Sequence, residues 1–265
     1  MDYLVFRLYG PMASWGDIAV GESRHSHSGP TKAAVLGLVA AALGIRREEE
    51  ATHLALNQRY ALATAVRSKG QLLRDYHTVQ APDSVGKFRY RTRRDELVAG
   101  RERLGTVLSS REYRTDALAW VALRVSQHGE RDGVPFTLAD IAEALQQPRF
   151  SLYLGRKSCP LAAPLQPQLL QADGFYGAFA QYQPKPLQFE RDEQQPLQAA
   201  DDTPQLAAES TVEYNWEGEL DDFRGEQAID ASALMTFTQH DQLLSRQRWQ
   251  FAPRKVLRLY LTEGH

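Results

Sequence analysis

The chain has 265 residues, 43% hydrophobic and 24% charged, with a formal net charge of −2. That is enough for one large domain or two small ones with a sizeable core, and the near-neutral total names no charged partner. The single cysteine, Cys159, excludes an intramolecular disulfide and fits a reducing compartment. No segment is long and apolar enough to span a membrane, and the opening residues MDYLVFRLYG lack a cationic n-region, so a cytoplasmic protein without membrane contact is expected.

The total hides an asymmetry. Arg67–Arg114 carries 12 Lys/Arg against 6 Asp/Glu, whereas Glu190–Asp230 carries 2 against 13. A basic surface suited to phosphates and a separate acidic one follow.

Tyr3–Tyr9 (YLVFRLY) is a β-rich run expected as a central strand that Gly10-Pro11 ends. In the loop after it, Trp15 is either a plug under the loop or a stacking platform for a base. The stretch Arg24–Ile45 is the most distinctive. Ala33–Leu43 contains only apolar residues and glycine, which predicts a helix buried all round. Ser28 or Thr31 can cap its start, Pro30 suits the first turn and Gly44 the C-terminal stop. Its polar feeding loop holds Arg24, His25, His27 and Lys32, so its N-terminus is expected to receive an anion.

A short second helix is expected from Arg46 to about Asn57, then a strand at Tyr60–Val66, a turn at Gly70 and a hairpin partner at Leu72–Val79. Lys87, Arg89, Arg91 and Arg93, interleaved with Phe88 and Tyr90, would share one face of a strand, giving either a cationic arm or a solvated charge run. Ala117–Val125 reads as a core strand. Thr137–Gln146 reads as an amphipathic helix capped by Thr137, with Leu138, Ile141, Ala142 and Leu145 inward. This order predicts an α+β fold built on one antiparallel sheet, as in ferredoxin-like, RNA-recognition-type modules. In Phe150–Leu161, Gly155 allows close approach of a ligand, and Arg156, Lys157 and Ser158 offer phosphate donors without Walker A spacing. Met235–Phe237 and Val256–Leu261 read as closing strands.

Catalytic signals are sparse. His25-x-His27 has no third metal ligand near it in sequence, and surface histidines are the simpler reading. Cys159 reads as a small buried residue. A metal-free ribonuclease could enlist His77, Tyr76 and Lys32 or Lys157, but their spacing selects none of them.

The ordered blocks LYGPMASWGD, GPTKAAVLGLVAAALGI, LLRDYHTV, SREYRTDA and YLGRKSCPL, with RQRWQFAPRKV near the C-terminus, resemble the fifth Cas family of CRISPR-associated proteins in its type I-E Cascade form, within the RAMP superfamily. The resemblance implies a ferredoxin-like palm (1–78 and 112–150), a basic β-hairpin thumb (79–111) and a β-rich C-terminal region (151–265) with an acidic insert at about 190–230. It implies a non-catalytic RNA-binding subunit that caps the 5′ handle of the CRISPR RNA (crRNA). It would bridge the backbone filament and the large subunit, near target DNA, with no cofactor or metal. The runner-up is a metal-independent endoribonuclease processing precursor crRNA. The residues falling where the handle is gripped are Arg24, His25 and Lys32, then Arg74, Tyr76 and His77, then Arg111, Tyr113 and Arg114, and finally Tyr153, Gly155, Arg156, Lys157 and Ser158. The bases of a single-stranded handle would stack on aromatic side chains such as Trp15, Tyr76, Tyr113 and Tyr153. The acidic insert is expected to face a basic partner subunit.

Overall fold

A computed structural model describes the chain except residues 18, 20, 84–88, 99–100, 127–135, 186–209, 226–229 and 263–265. Lys87 and Phe88 of the basic stretch, and much of the acidic insert, therefore lie outside the described residues.

The fold is organised on one long strand, β5 (Leu104–Val125, 22 residues). Its C-terminal half lies between β1 (Asp2–Ala13) and β3 (Tyr60–Ser68), antiparallel to both. β6 (Gln168–Gln171) pairs with the free edge of β1. On the other side the sheet continues through β7 (Thr211–Trp216), β9 (Gln250–Thr262) and β8 (Met235–Ser245), giving the order β6-β1-β5-β3-β7-β9-β8. The C-terminal strands thus extend the same sheet.

β1 is buried on both faces, as its mostly apolar run requires; Arg7, the one charge in Tyr3–Tyr9, is buried too and donates to the Pro164 carbonyl at 2.9 Å. Leu4, Phe6 and Leu8 point to one core, filled by α1 (Lys32–Leu43) and α4 (Leu138–Gln146); Tyr3 and Val5 point to the other, filled by α5 (Phe175–Gln181) and the C-terminal strands. α5 opens with Phe175-Tyr176, inside a stretch rich in Pro, Gln and Ala. Gly10-Pro11 does not end β1. The ladder omits Pro11, passing from Gly10–Ala117 to Met12–Thr115, and the opposing Asp116 has φ 54°, so the missing N–H falls at an irregularity in the partner.

α2 (Glu50–Arg59) starts later than Arg46. α4 has the expected cap: Thr137 and Asp140 form a reciprocal capping box, and Leu138, Ile141, Ala142 and Leu145 are buried. Thr31, not Ser28, caps α1, accepting from Ala34 N–H at 3.3 Å, so Pro30 precedes the helix rather than entering its first turn.

Gly70 does not reverse the chain. β4 (Gln71–Pro82) continues along the same edge of β5 that β3 occupies, pairing from Gln71–Thr115 to Pro82–Leu104. The partner of β4 is therefore β5, not β3. The residues 69–70 form a bend at the level of Asp116. Gly70 has φ 60°, and a Cβ there would lie 2.0 Å from the Thr115 carbonyl oxygen. Beyond the bend, β4 and the N-terminal half of β5 leave the palm side as a two-stranded ribbon, longer than the expected 79–111 arm. A two-residue strand, β2 (Ser23–Arg24), pairs in parallel with Ser110–Arg111 on the ribbon's other edge. The expected basic strand is not formed on its described part: Arg93 and Arg94 open a short helix, α3 (Arg93–Val98).

Candidate nucleic-acid interface

The expected cationic mouth of α1 is closed by the protein itself. The Lys32 backbone N–H donates to Asp241 Oδ2 at 2.7 Å, where a bound anion was expected. Lys32 Nζ meets Glu217 Oε2 at 2.8 Å with 3% of its side chain exposed, and Arg254 joins both carboxylates, at 2.7 Å to Asp241 Oδ1 and 3.4 Å to Glu217 Oε1. Burial pushes the Lys32 ammonium below the usual lysine range, and Glu217 opposes that shift. Lys32 is therefore withdrawn from the set of exposed phosphate contacts.

The acidic stretch supplies Glu217 to this closure, and two more of its carboxylates are paired elsewhere in the fold. Glu213 meets Lys69 at 3.1 Å and Arg258 at 3.0 Å, and Asp222 meets Arg124 at 2.6 Å. On the described residues the expectation of an outward acidic face fails for Glu213, Glu217 and Asp222. They are bound to cations from α1, β5 and β9 and from the β3–β4 bend.

The exposed cations gather instead where the ribbon leaves the palm. Glu112 is the hub. Its carboxylate accepts from Arg74 Nη2 at 3.0 Å and from the Ser26 N–H at 3.3 Å, and His25 Nδ1 lies 3.3 Å away. Partial desolvation pushes its pKa up, but Arg74, Ser26 and His25 outweigh that and hold it below the usual glutamate range. Arg156 donates to the Glu112 carbonyl at 3.4 Å and stacks its guanidinium 4.8 Å from the centre of the Tyr113 ring. Ser14 Oγ donates to the same carbonyl at 3.1 Å. Four of the expected residues, His25, Arg74, Tyr113 and Arg156, are thus brought together.

Others are separated. Cross-strand pairs share a face, so Arg74 and Tyr76 lie with Glu112 and Ser110, while His77 and Asp75 lie with Ser109 and Arg111 on the opposite face. Arg114, paired with Leu72, takes the Arg74 face. His77 Nδ1 is 3.0 Å from Asp75 Oδ2. Tyr76 is 62% exposed and remains a stacking candidate, but Tyr113 is buried beneath Arg156 and Trp15 is buried in the helix-side core, which removes both as open platforms. Arg24, exposed, donates to the Gly21 and Ser23 carbonyls. The tight approach at Gly155 is to the chain itself: a Cβ there would lie 1.9 Å from the Ser14 carbonyl oxygen. That clamp holds the turn, with Lys157 and Ser158 exposed and Cys159 buried.

Arg156 also opens onto a groove of about 880 Å³, within the size range of small-ligand sites. Its floor is the small-residue stripe of α1, Ala33, Ala34, Gly37 and Ala41. One wall is Ser151–Tyr153 with Gly155, and the other is the β8–β9 hairpin with Leu244, Arg246, Trp249 and Phe251. Trp249 is 54% exposed, with the Arg246 and Arg47 guanidiniums 4.2 and 5.0 Å from its ring centre. Tyr153 stands on the opposite wall. Aromatic faces flanked by guanidiniums can hold unpaired bases and their phosphates. Arg246 and Trp249 were missing from the expected site. Their only sequence signal was the basic and aromatic run RQRWQFAPRK, which begins 88 residues beyond Ser158, the nearest expected contact.

Among the described residues, no group of three His, Cys, Asp or Glu is placed to hold a metal, and no helix is long and apolar enough to cross a membrane.

The family model described as CRISPR-associated protein (Cas_Cas5) matches residues 3–257. The chain is 33% identical over 193 residues to the CRISPR system Cascade subunit CasD of Escherichia coli (strain K12), covering 69% of this chain and 78% of that one. Two solved structures share the fold. A chain of a CRISPR RNA-guided surveillance complex superposes with TM-score 0.59 at 21% identity, over 98% of this chain and 89% of its own. A Cas protein crystal structure superposes with TM-score 0.54 at 24% identity, over 98% and 95%.

Proposed function

This chain belongs to the CRISPR-associated Cas5 family, and on that premise we propose that it is a non-catalytic RNA-binding subunit of a type I-E Cascade surveillance complex. It caps the 5′ handle of the crRNA and bridges the backbone filament and the large subunit, close to target DNA. The order β6-β1-β5-β3, with helices between β1 and β3 and between β5 and β6, supports reading the palm as ferredoxin-like, and the β4–β5 ribbon supports reading a thumb.

The observation that carries the RNA reading is the continuity of the ribbon base with the groove. Arg74 and His25 meet the Glu112 carboxylate at the ribbon base, Arg156 contacts the Glu112 carbonyl and also lines the groove, and Trp249, Arg246 and Tyr153 line the groove with it, which supports partners for the phosphates and unpaired bases of one strand along a single path. The nuclease reading draws no such support. Tyr76 and His77 are neighbours on a strand and face opposite ways, and Lys32 is buried against Glu217.

Two measurements test this. Purified protein incubated with repeat RNA without metal is expected to leave it intact; cleavage abolished by His77→Ala would overturn the non-catalytic reading. Arg156→Ala with Lys157→Ala is expected to weaken handle binding and flatten the slope of log affinity against log salt by about 1.4 for two phosphates on a single strand. An unchanged slope removes both residues from the interface.

A further inference from the structure

The turn that carries Trp249 into the groove is held in an unfavourable shape. Ser245 pairs with Gln250, so Arg246, Gln247, Arg248 and Trp249 form the loop of the β8–β9 hairpin. Trp249 has φ 56°. In that left-handed region a bulky L side chain crowds its own backbone, and glycine is the usual occupant. The Trp249 side chain stands 54% exposed, so burial in a core does not offset the strain. Such a conformation persists only where neighbouring contacts over-determine it.

The contact comes from 197 residues earlier in the chain. Glu50, the first residue of α2, reaches the hairpin turn at the surface, and its Oε2 accepts from the Gln247 N–H at 2.7 Å. The Ser245 hydroxyl and the Arg246 N–H donate to the same carboxylate; with Gln247 they hold it below the usual glutamate range, Ser245 contributing most. Ser245 Oγ accepts in turn from the Arg248 N–H at 3.1 Å. Successive N–H groups in a turn make a concavity for an anion, and here the protein supplies the anion itself. Arg47, three residues before Glu50, lays its guanidinium 5.0 Å from the Trp249 ring centre. The α1–α2 junction therefore meets the turn twice, through Glu50 at its backbone and through Arg47 at its indole.

Glu50 acts on a bound strand in two opposed ways. As a charge it repels phosphate, so its removal would tighten binding. As a brace it keeps Trp249 and Arg246 where a base and its phosphate meet them, so its removal would weaken binding. The charge is at the surface, where salt screens it beyond about 10 Å at 0.1 M. The brace is three direct hydrogen bonds on a strained turn. We propose that Glu50 is a positioning residue for the groove, and that bracing outweighs repulsion. The proposal rests on the groove being a path for unpaired RNA.

The test uses the full chain and a single-stranded RNA of about 8 nucleotides, within the span of one such surface. Glu50→Ala is expected to weaken binding about fivefold, the lower end of what one stacked base contributes. Its urea midpoint should change little, because water reaches the donors left behind. Glu50→Gln, which keeps one acceptor oxygen, should bind between wild type and Glu50→Ala. The near-ultraviolet circular dichroism of Trp249, read as the difference between each chain and its Trp249→Phe counterpart, should be largely lost in Glu50→Ala. In a chain already carrying Arg246→Ala and Trp249→Ala, adding Glu50→Ala should cost no further affinity. Wild-type or tighter binding by Glu50→Ala, where Trp249→Ala binds more weakly, overturns the proposal. So does a full further loss in the doubly substituted chain. If Trp249→Ala itself binds as wild type, the RNA reading of the groove fails, and the dichroism alone decides whether Glu50 braces the turn; an unchanged signal overturns that as well.

Discussion

At the start of α1, Lys32 and Arg254 are covered and meet Glu217 and Asp241; at the ribbon base, Arg74 has 62% of its side chain exposed beside Glu112. Both are cation–carboxylate clusters assembled from residues far apart in the chain. They differ in solvent. In the first, each charge has lost its water and depends on its partner, so the cluster fixes β8, β9 and the end of β7 against α1. In the second, water still reaches the guanidiniums, and Glu112 orients them without consuming their capacity to bind phosphate. A cation's availability is therefore set by what covers it, and the residue type alone does not reveal it.

The largest expected effect breaks the covered cluster. Asp241→Ala leaves Arg254 buried with a lost partner and the Lys32 N–H unsatisfied, and is expected to cost about 3–5 kcal/mol in urea denaturation. Arg74→Ala, which opens an exposed pair, is expected to cost about 1 kcal/mol or less in the same assay. Equal losses would erase the distinction.

The second sharpens it through binding. Trp249→Ala is expected to weaken single-stranded RNA binding by about 1–3 kcal/mol, the loss of one stacked base, with little change in stability. Lys32→Met is expected to leave the salt slope of RNA binding unchanged. A shallower slope for Lys32→Met would reopen the mouth of α1 as a phosphate site.

The smallest effect is in pH. Burial raises the pKa of Glu213, but Arg258, Asn215 and Lys69 outweigh it and hold the carboxyl below its usual value of 4.5. A depressed native pKa contributes stability that is complete above the unfolded value and is lost as pH falls through the native one. The melting temperature should therefore drop between about pH 5 and pH 3, and Glu213→Gln should make that drop shallower. An identical acid profile for the variant would remove Glu213 from the account.

Much of the architecture was legible in short-range pattern. The run YLVFRLY, the apolar stretch Ala33–Leu43 with Gly44 at its end, and Thr137 at the start of α4 determine their elements locally, because caps and periodicity act over a few residues. The cationic inventory of the ribbon base and the Arg156 turn was legible too. Tertiary structure alone decided the rest. Gly70 reads as a reversal in sequence, yet becomes a bend because β5 is long enough to pair β3 and β4 in succession. α1 has the start of an anion site, yet Asp241, 209 residues away, fills it. Trp249 reaches the groove by the same route, carried across the sheet by the β8–β9 hairpin. Hydrogen-bond and ion-pair partners so distant along the chain leave no local pattern, because the sheet order that joins them is set by the packing of the whole core.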